Sequence, residues 1–112
     1  MPNEKLKSFL KQEFEFPSKN LDEINQFINK DNELKKIIYD LPKEISSKLP
    51  YNKISLDFMK ETDPSEKILE IVIYSRFDEE ILLKKEDMIS DKLIDKYPKT
   101  TLEYIILVEP YD

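Results

Sequence analysis

The chain of 112 residues contains no glycine, no histidine and no cysteine. Phosphate-binding loops, dinucleotide fingerprints and glycine-flanked nucleophile elbows are therefore excluded, because each needs backbone without a Cβ atom. Without histidine and cysteine there is no ordinary zinc site, and no Ser-His-Asp or Cys-His catalysis. The missing cysteines also give no support to a secreted disulfide scaffold. The sequence predicts a protein that is not an enzyme and has no cofactor or metal.

Arginine is scarce, since Arg76 is the only one in the chain. Arginine is the side chain best suited to bidentate phosphate recognition, so a phosphate-binding function is disfavoured. Acidic residues outnumber basic ones by 24 to 18, which gives a net charge of −6. The lysines alternate with acids, as in residues 84–87, and no continuous basic surface results. Nucleic acid is therefore excluded as the expected partner.

Long apolar runs are also missing. The longest uninterrupted one is residues 104–108, far shorter than the roughly 20 residues that span a bilayer. No apolar segment follows the lysines near the N-terminus, so no signal peptide is expected. The sequence predicts a single domain over residues 1–112, cytoplasmic and without membrane contact.

The first half of the chain predicts helices. Apolar residues at helical spacing fall in three runs, at residues 6–14, 21–28 and 34–49. Asn3 is the expected N-cap of the first helix, and Pro17 ends that segment. A break is expected at residues 29–32. Pro42 is expected to kink or restart the third helix, and Pro50 to stop it.

The second half predicts a sheet. Strands are expected at residues 53–58, 68–76 and 101–109. A turn at residues 63–65 joins the first two strands, and a helical stretch from Asp78 to Tyr97 precedes the third, as one helix or two shorter ones. This order gives an antiparallel hairpin followed by a parallel crossover. We expect an α+β fold, with N-terminal helices followed by β-β-α-β. The three-stranded mixed sheet has the order 1-2-3, with its first strand at an edge and the helices on one face.

The densest acidic cluster is Asp78, Glu79 and Glu80, just after the expected central strand. Sites in α/β proteins often form at such strand ends, and a divalent metal site is one interpretation. Favourable charge at a helix N-terminus is the preferred one, because adjacent helical residues point in different directions. Arg76 is expected to form a salt bridge with Asp78 or Glu80. These four residues are the candidate binding site.

Two further sets of residues bear on function. Metal-dependent nucleases of the Asp…Glu-x-Lys type share the α-β-β-α-β order, and Asp57 with Glu70 would supply their acids. The position two after Glu70 is Val72 rather than lysine, so this activity is rejected. Tyr104 and Tyr111 are interpreted either as interface residues or as residues at the edge of the core.

Part of the chain resembles a type of small uncharacterised prokaryotic α+β protein. The resemblance lies in Lys53-Ile-Ser-Leu56, the Asp63-Pro64 turn and residues 69–75 with the acidic helix start after them. It covers about a third of the chain. The acidic and aromatic stretch expected after that helix is absent here. The resemblance implies the fold and no activity.

These observations favour a non-catalytic protein-interaction module. An acidic inhibitor, immunity or antitoxin-like protein that binds a basic protein partner fits the charge balance and the small size. A Mg²⁺- or Mn²⁺-dependent hydrolase built on carboxylates is one alternative. A structural subunit of a homo-oligomer is the other.

Overall fold

The computed structural model describes residues 2–48, 53–59, 67–97 and 104–110. Their elements, in chain order, are α1 (Pro2–Glu13), α2 (Leu21–Asn29), α3 (Asn32–Ser46), β1 (Lys53–Phe58), β2 (Leu69–Ser75), α4 (Glu79–Lys96) and β3 (Tyr104–Pro110). The strands form one mixed sheet in the order β1-β2-β3. Within it β1 is antiparallel and β3 parallel to the central β2. The predicted α+β fold and strand order are confirmed.

The first helix begins earlier than predicted. Because α1 starts at Pro2, Asn3 lies inside the helix, and its predicted role as N-cap is wrong. Proline suits the first helical position, where its fixed φ is preorganised and its missing N–H is not needed. After α1 the chain turns through residues 17–20, where Lys19 adopts a φ of 54°. With no glycine in the chain, a lysine takes this left-handed conformation.

The predicted break at residues 29–32 is present, because Asp31 caps α3. Its Oδ1 accepts hydrogen bonds from the backbone N–H groups of Glu33 and Leu34, at 2.9 and 3.2 Å. The helix then continues through Pro42 to Ser46 without a restart, so that alternative is wrong. Pro50 lies outside the described residues.

One face of the sheet forms the core with the helices. Cross-strand register places Ile71 of β2 beside Leu56 of β1 and Ile106 of β3, and all three side chains are buried. They belong to a single hydrophobic cluster that includes the buried residues of all four helices. The helices therefore cover this face, as predicted.

The outer edge of β1 is partly covered by the segment after α1. Glu15 forms a parallel bridge with Ser55, in which its N–H donates to the Ile54 carbonyl at 2.8 Å and its carbonyl accepts from Leu56 N–H at 2.9 Å. The sequence correctly predicted β1 at one end of the sheet. It did not predict this short additional pairing.

The helix between β2 and β3 is a single one, α4, so the alternative of two shorter helices is wrong. β3 extends to Pro110, one residue beyond its expected end. Its predicted beginning at residues 101–103 lies outside the described residues, as does the turn at residues 63–65. No helix in the described part of the chain is long and apolar enough to cross a membrane.

Candidate functional site

The four residues predicted as a binding site lie at the turn from β2 into α4. β2 ends at Ser75 and α4 begins at Glu79, with Asp78 in the N-cap position. Arg76, Asp78, Glu79 and Glu80 are all exposed. The Asp78 carboxylate makes no capping hydrogen bond to the helix. The acidic groups therefore act on the helix N-terminus through their charge, which is worth about 0.3–1 kcal/mol each.

The metal interpretation of this cluster gains no geometric support. Across the described ranges, no three or more His, Cys, Asp or Glu side chains are grouped so that they could hold a metal ion. Neighbouring residues of a helix project about 100° apart, so Glu79 and Glu80 diverge from each other. The arrangement is an acidic corner on the surface.

Exposed apolar side chains surround that corner and continue along α4. Every large hydrophobic side chain that is exposed in the described residues belongs to this part of the chain. They are Phe77 (39% exposed), Ile81 (41%), Leu83 (55%), Met88 (51%) and Ile94 (44%). The core-facing side of α4 is formed instead by Leu82, Ile89 and Leu93. The helix thus has apolar residues on more than one side.

One run in the sequence indicates this exposed apolar surface. Ile81, Leu82 and Leu83 are consecutive, and three consecutive residues of a helix cannot all face one core. Only Leu82 is buried. The run therefore indicates exposed apolar residues and not a division of the helix.

The two flanks of α4 face different neighbours. On one flank Lys92 forms an ion pair with Glu44 of α3, with Nζ and Oε2 2.9 Å apart. On the other flank Glu86 reaches β3, where its Oε2 accepts a hydrogen bond from the Val108 backbone N–H at 3.0 Å. The side chain of Glu86 therefore lies at the outer edge of β3.

The C-terminal end of α4 is held to α3 by a second polar contact. The Tyr97 hydroxyl donates to Oδ2 of Asp40 at 2.7 Å, and Lys96 Nζ lies 3.1 Å from the same oxygen. The Tyr97 hydrogen bond is the main reason that the pKa of Asp40 is lowered. Burial, followed by the bond to Asp40, raises the pKa of Tyr97.

This contact predicts a pH-dependent effect of Tyr97→Phe. At neutral pH we expect the variant to lose about 1 kcal/mol of unfolding free energy, a low value for a bond to a charged group because Asp40 is partly exposed. Folding lowers the pKa of the Asp40 carboxyl from its unfolded value of 3.8. Such a carboxyl stabilises the protein fully at pH values above 3.8, and this contribution is lost as the pH falls through the folded pKa. The difference from the parent should shrink in acid. Urea unfolding at neutral pH and near pH 2.5 measures it.

The matched control is Tyr39→Phe, which removes a hydroxyl from a half-buried tyrosine of α3. It should change stability by less than about 0.5 kcal/mol at either pH. A Tyr97→Phe effect that is equally large in acid would show that Asp40 ionisation does not contribute to it.

A cavity of about 290 Å³ lies between α4 and β3. Residues 104–107 of β3 form one wall, and Glu86, Ser90 and Ile94 of α4 form the other. We call this cavity the α4–β3 cleft. Its walls combine a carboxylate and a hydroxyl with apolar side chains and strand backbone.

Tyr104 lines this cleft although it is only 8% exposed and belongs to the core cluster. Its hydroxyl oxygen is buried and has no hydrogen-bond partner among the described residues. Burial raises the pKa of that hydroxyl. Of the two interpretations of Tyr104, the edge of the core is the one that its burial supports. Tyr111 lies outside the described residues.

A second cavity, of about 420 Å³, lies beside the start of α2. Lys7, Lys11 and Lys19 line it together with the acidic Asp22 and Glu23. Lys7 Nζ is 2.7 Å from Asp22, and this hydrogen-bonded ion pair lowers the pKa of Asp22. The Asp22 and Glu23 carboxylates lie at the positive N-terminal end of α2 and offset the charge of the neighbouring lysines. The sequence did not predict that these lysines converge.

Asp57 and Glu70, the two acids of the rejected nuclease arrangement, are direct partners on β1 and β2. The Asp57 carboxylate accepts hydrogen bonds from Ser18 Oγ at 2.5 Å, Asn20 Nδ2 at 3.0 Å and the Phe58 N–H at 2.8 Å. It therefore fixes the turn before α2 onto the sheet. This structural role explains the carboxylate without a metal ion.

Comparison with known proteins adds no relative to this geometry. No family model matches the chain, and neither curated proteins nor solved structures give a significant match.

Proposed function

We propose that this chain is a non-catalytic protein-binding module that uses the beginning of α4 as its contact surface. We call the exposed side chains that surround the first turns of α4 the apolar–acidic surface and define it as Phe77, Asp78, Glu79, Glu80, Ile81 and Leu83. The observation that carries the proposal is that the exposed large hydrophobic side chains of the described residues all lie between Phe77 and Ile94. Concentrated exposed apolar area is typical of interaction sites.

The chemistry of this surface defines the partner. Three successive carboxylates, Asp78, Glu79 and Glu80, lie beside the exposed Phe77, Ile81 and Leu83 side chains. A partner that offers lysine or arginine around an apolar contact would match both features. Charge complementarity raises association rates and selects partners, while the apolar residues supply contact area. An inhibitor, immunity or antitoxin-like protein acting on a basic protein in the cytoplasm fits this description.

A symmetric dimer through the same surface is disfavoured by its charge. A two-fold axis would bring Asp78, Glu79 and Glu80 near the same residues of a second copy, and like charges at close range repel. The carboxylate-based hydrolase remains a prediction from composition. The described geometry favours the basic protein partner.

The experiment is a capture from lysate of the source organism with the tagged full chain, at low salt and at about 0.5 M salt. The captured protein is identified, purified and titrated against the wild type, two triple variants and one double variant. We expect Asp78→Asn/Glu79→Gln/Glu80→Gln to weaken binding at least about tenfold, equivalent to about 1.4 kcal/mol. Ile81→Ser/Leu83→Ser should weaken binding similarly, because it removes apolar contact area. Both side chains are exposed and contribute little to folding, so this variant should still fold.

The matched control is Asp87→Asn/Asp91→Asn/Asp95→Asn, which neutralises three exposed acids farther along the same helix. Both triple variants change the net charge from −6 to −3, so they differ only in the position of the lost charge. The control should stay within about twofold of the wild type. Equal losses in the two variants would show that overall charge and not this surface governs binding. Failure to capture any basic partner would also overturn the proposal.

A further inference from the structure

The outer edge of β3 presents backbone groups to the α4–β3 cleft. β2 pairs with one edge of β3. The Val108 N–H donates to Glu86 and therefore points to the opposite, outer edge of β3. Successive residues of a strand direct their backbone groups to opposite edges, so alternate residues share one. The backbone groups of Tyr104 and Ile106, which line the cleft, therefore point to the same outer edge as that of Val108. No other described strand pairs with this edge.

The cleft also contains a polar group that lacks a partner. Tyr104 lines the cleft, and its hydroxyl oxygen is buried and forms no hydrogen bond among the described residues. A buried hydroxyl without a partner is unfavourable, and a molecule that enters the cleft with a hydrogen-bond acceptor relieves that cost. The strand edge and the hydroxyl together provide donors and acceptors for another polypeptide backbone.

Charge decides which polypeptide fits. Glu86 places a carboxylate at this edge, hydrogen-bonded to Val108, and a charged side chain on a strand edge opposes pairing between identical edges. Two copies joined edge to edge around a two-fold axis would bring their Glu86 carboxylates onto the same short interface. A peptide with a lysine or arginine opposite Glu86 meets the opposite charge instead.

We infer that the α4–β3 cleft binds an extended peptide segment of a basic protein, which adds to the sheet as a strand beside β3 and places a lysine or arginine against Glu86. Main-chain hydrogen bonds to the β3 edge supply affinity in this type of recognition, and side-chain pockets supply specificity. Ser90 and Ile94 of α4 form the opposite wall that the peptide side chains contact. The inference concerns a different part of α4 from the proposed function, because Glu86, Ser90 and Ile94 lie farther along the helix than the apolar–acidic surface.

The test begins with selection of random short peptides displayed on phage against the immobilised full chain. We expect the selected sequences to alternate β-branched or aromatic residues with polar ones and to share a lysine or arginine. The best synthetic peptide is then titrated by fluorescence anisotropy and followed by amide NMR. Its binding should slow hydrogen exchange at the Ile106 amide and shift resonances of residues 104–107 and of Ser90.

Two conservative variants separate binding from folding. Glu86→Gln keeps an acceptor for the Val108 N–H and removes the charge, so peptide affinity should fall about tenfold. Tyr104→Phe should weaken the peptide about three- to tenfold without lowering the stability of the free protein, since the lost hydroxyl has no partner there. A merely structural role for Tyr104 would not give that combination. Asp91→Asn, which neutralises an exposed acid of α4 outside the cleft lining, is the control and should change affinity less than twofold.

Several results would overturn the inference. These are failure to select any peptide, wild-type affinity in both Glu86→Gln and Tyr104→Phe, or resonance shifts confined to the apolar–acidic surface. A dimer whose formation depends on concentration and protects the Ile106 amide would assign the cleft to a second copy of the chain. Because none of these variants changes the apolar–acidic surface, this inference and the proposed function can fail separately.

Discussion

Ile71→Ala is expected to lower the free energy of unfolding by about 4 kcal/mol, the largest loss expected from a single substitution in this protein. Ile71 is fully buried in the central strand and lies in register with Leu56 and Ile106 on the face that the helices cover. Removing three buried methyl and methylene carbons leaves a cavity bounded by rigid strands, which cannot collapse easily. Urea denaturation measures the loss.

The matched control is Ile105→Ala, the same substitution on the adjacent strand. Ile105 lies in register with Glu70 on the opposite sheet face and is only half-buried. We expect Ile105→Ala to lower the free energy of unfolding by roughly 1 kcal/mol, because folding removes less apolar area from water at Ile105 than at Ile71. Similar losses at the two positions would mean that both faces of the sheet contribute a core, contrary to the arrangement described here.

The same difference between the faces explains why the sheet was predictable from sequence. Alternation in Ile54, Leu56 and Phe58 gave β1 its register and its place at the end of the sheet. β2 carries apolar residues on both faces, including Val72, which favoured a central position. A short hairpin followed by a helical crossover left few alternatives for strand order. Local pattern and topology rules therefore agreed.

The errors came from places where local signals compete with packing. Asn3 is a good N-cap residue, yet Pro2 already begins the helix. The pairing of Glu15 with Ser55 depends on where the end of α1 is placed against β1, which no local pattern specifies. The convergence of Lys7, Lys11 and Lys19 likewise requires two segments to approach each other in the fold.

The candidate site was predictable only in part. The position of Asp78, Glu79 and Glu80 at a helix start followed from sequence, because acids favour that end of a helix. The α4–β3 cleft did not, since its walls come from elements that meet only in the folded state. Glu86 appeared in the sequence as one of many acids alternating with lysines. Its contact with Val108 gives it a specific place that composition cannot show.

Pro42→Ala is expected to raise the free energy of unfolding by about 2 kcal/mol. Proline in a helix interior lacks the N–H that bonds to the carbonyl four residues earlier, here Ile38, and costs about 3 kcal/mol relative to alanine. Proline also restricts the unfolded chain, and losing that restriction offsets about 0.4–1 kcal/mol of the gain. Urea denaturation of both proteins gives the difference.

The control for this substitution is Pro17→Ala, at an exposed position in the turn after α1. There no helical hydrogen bond is regained, and only the restriction of the unfolded chain is lost, so stability should fall by about 0.5 kcal/mol. Opposite signs at the two prolines would show that helix geometry and not proline content decides the effect.

The sign of the Pro42→Ala effect also bears on how α3 supports α4. Ile38, Leu41 and Ile45 remain buried on either side of Pro42, so core packing carries the helix past a residue that opposes it. A gain in stability would mean that this packing fits a regular helix at least as well. A loss would mean that the last turn of α3 needs the proline at this position in order to bring Glu44 within reach of Lys92. In that case Pro42 would help to position the helix that carries both proposed binding surfaces.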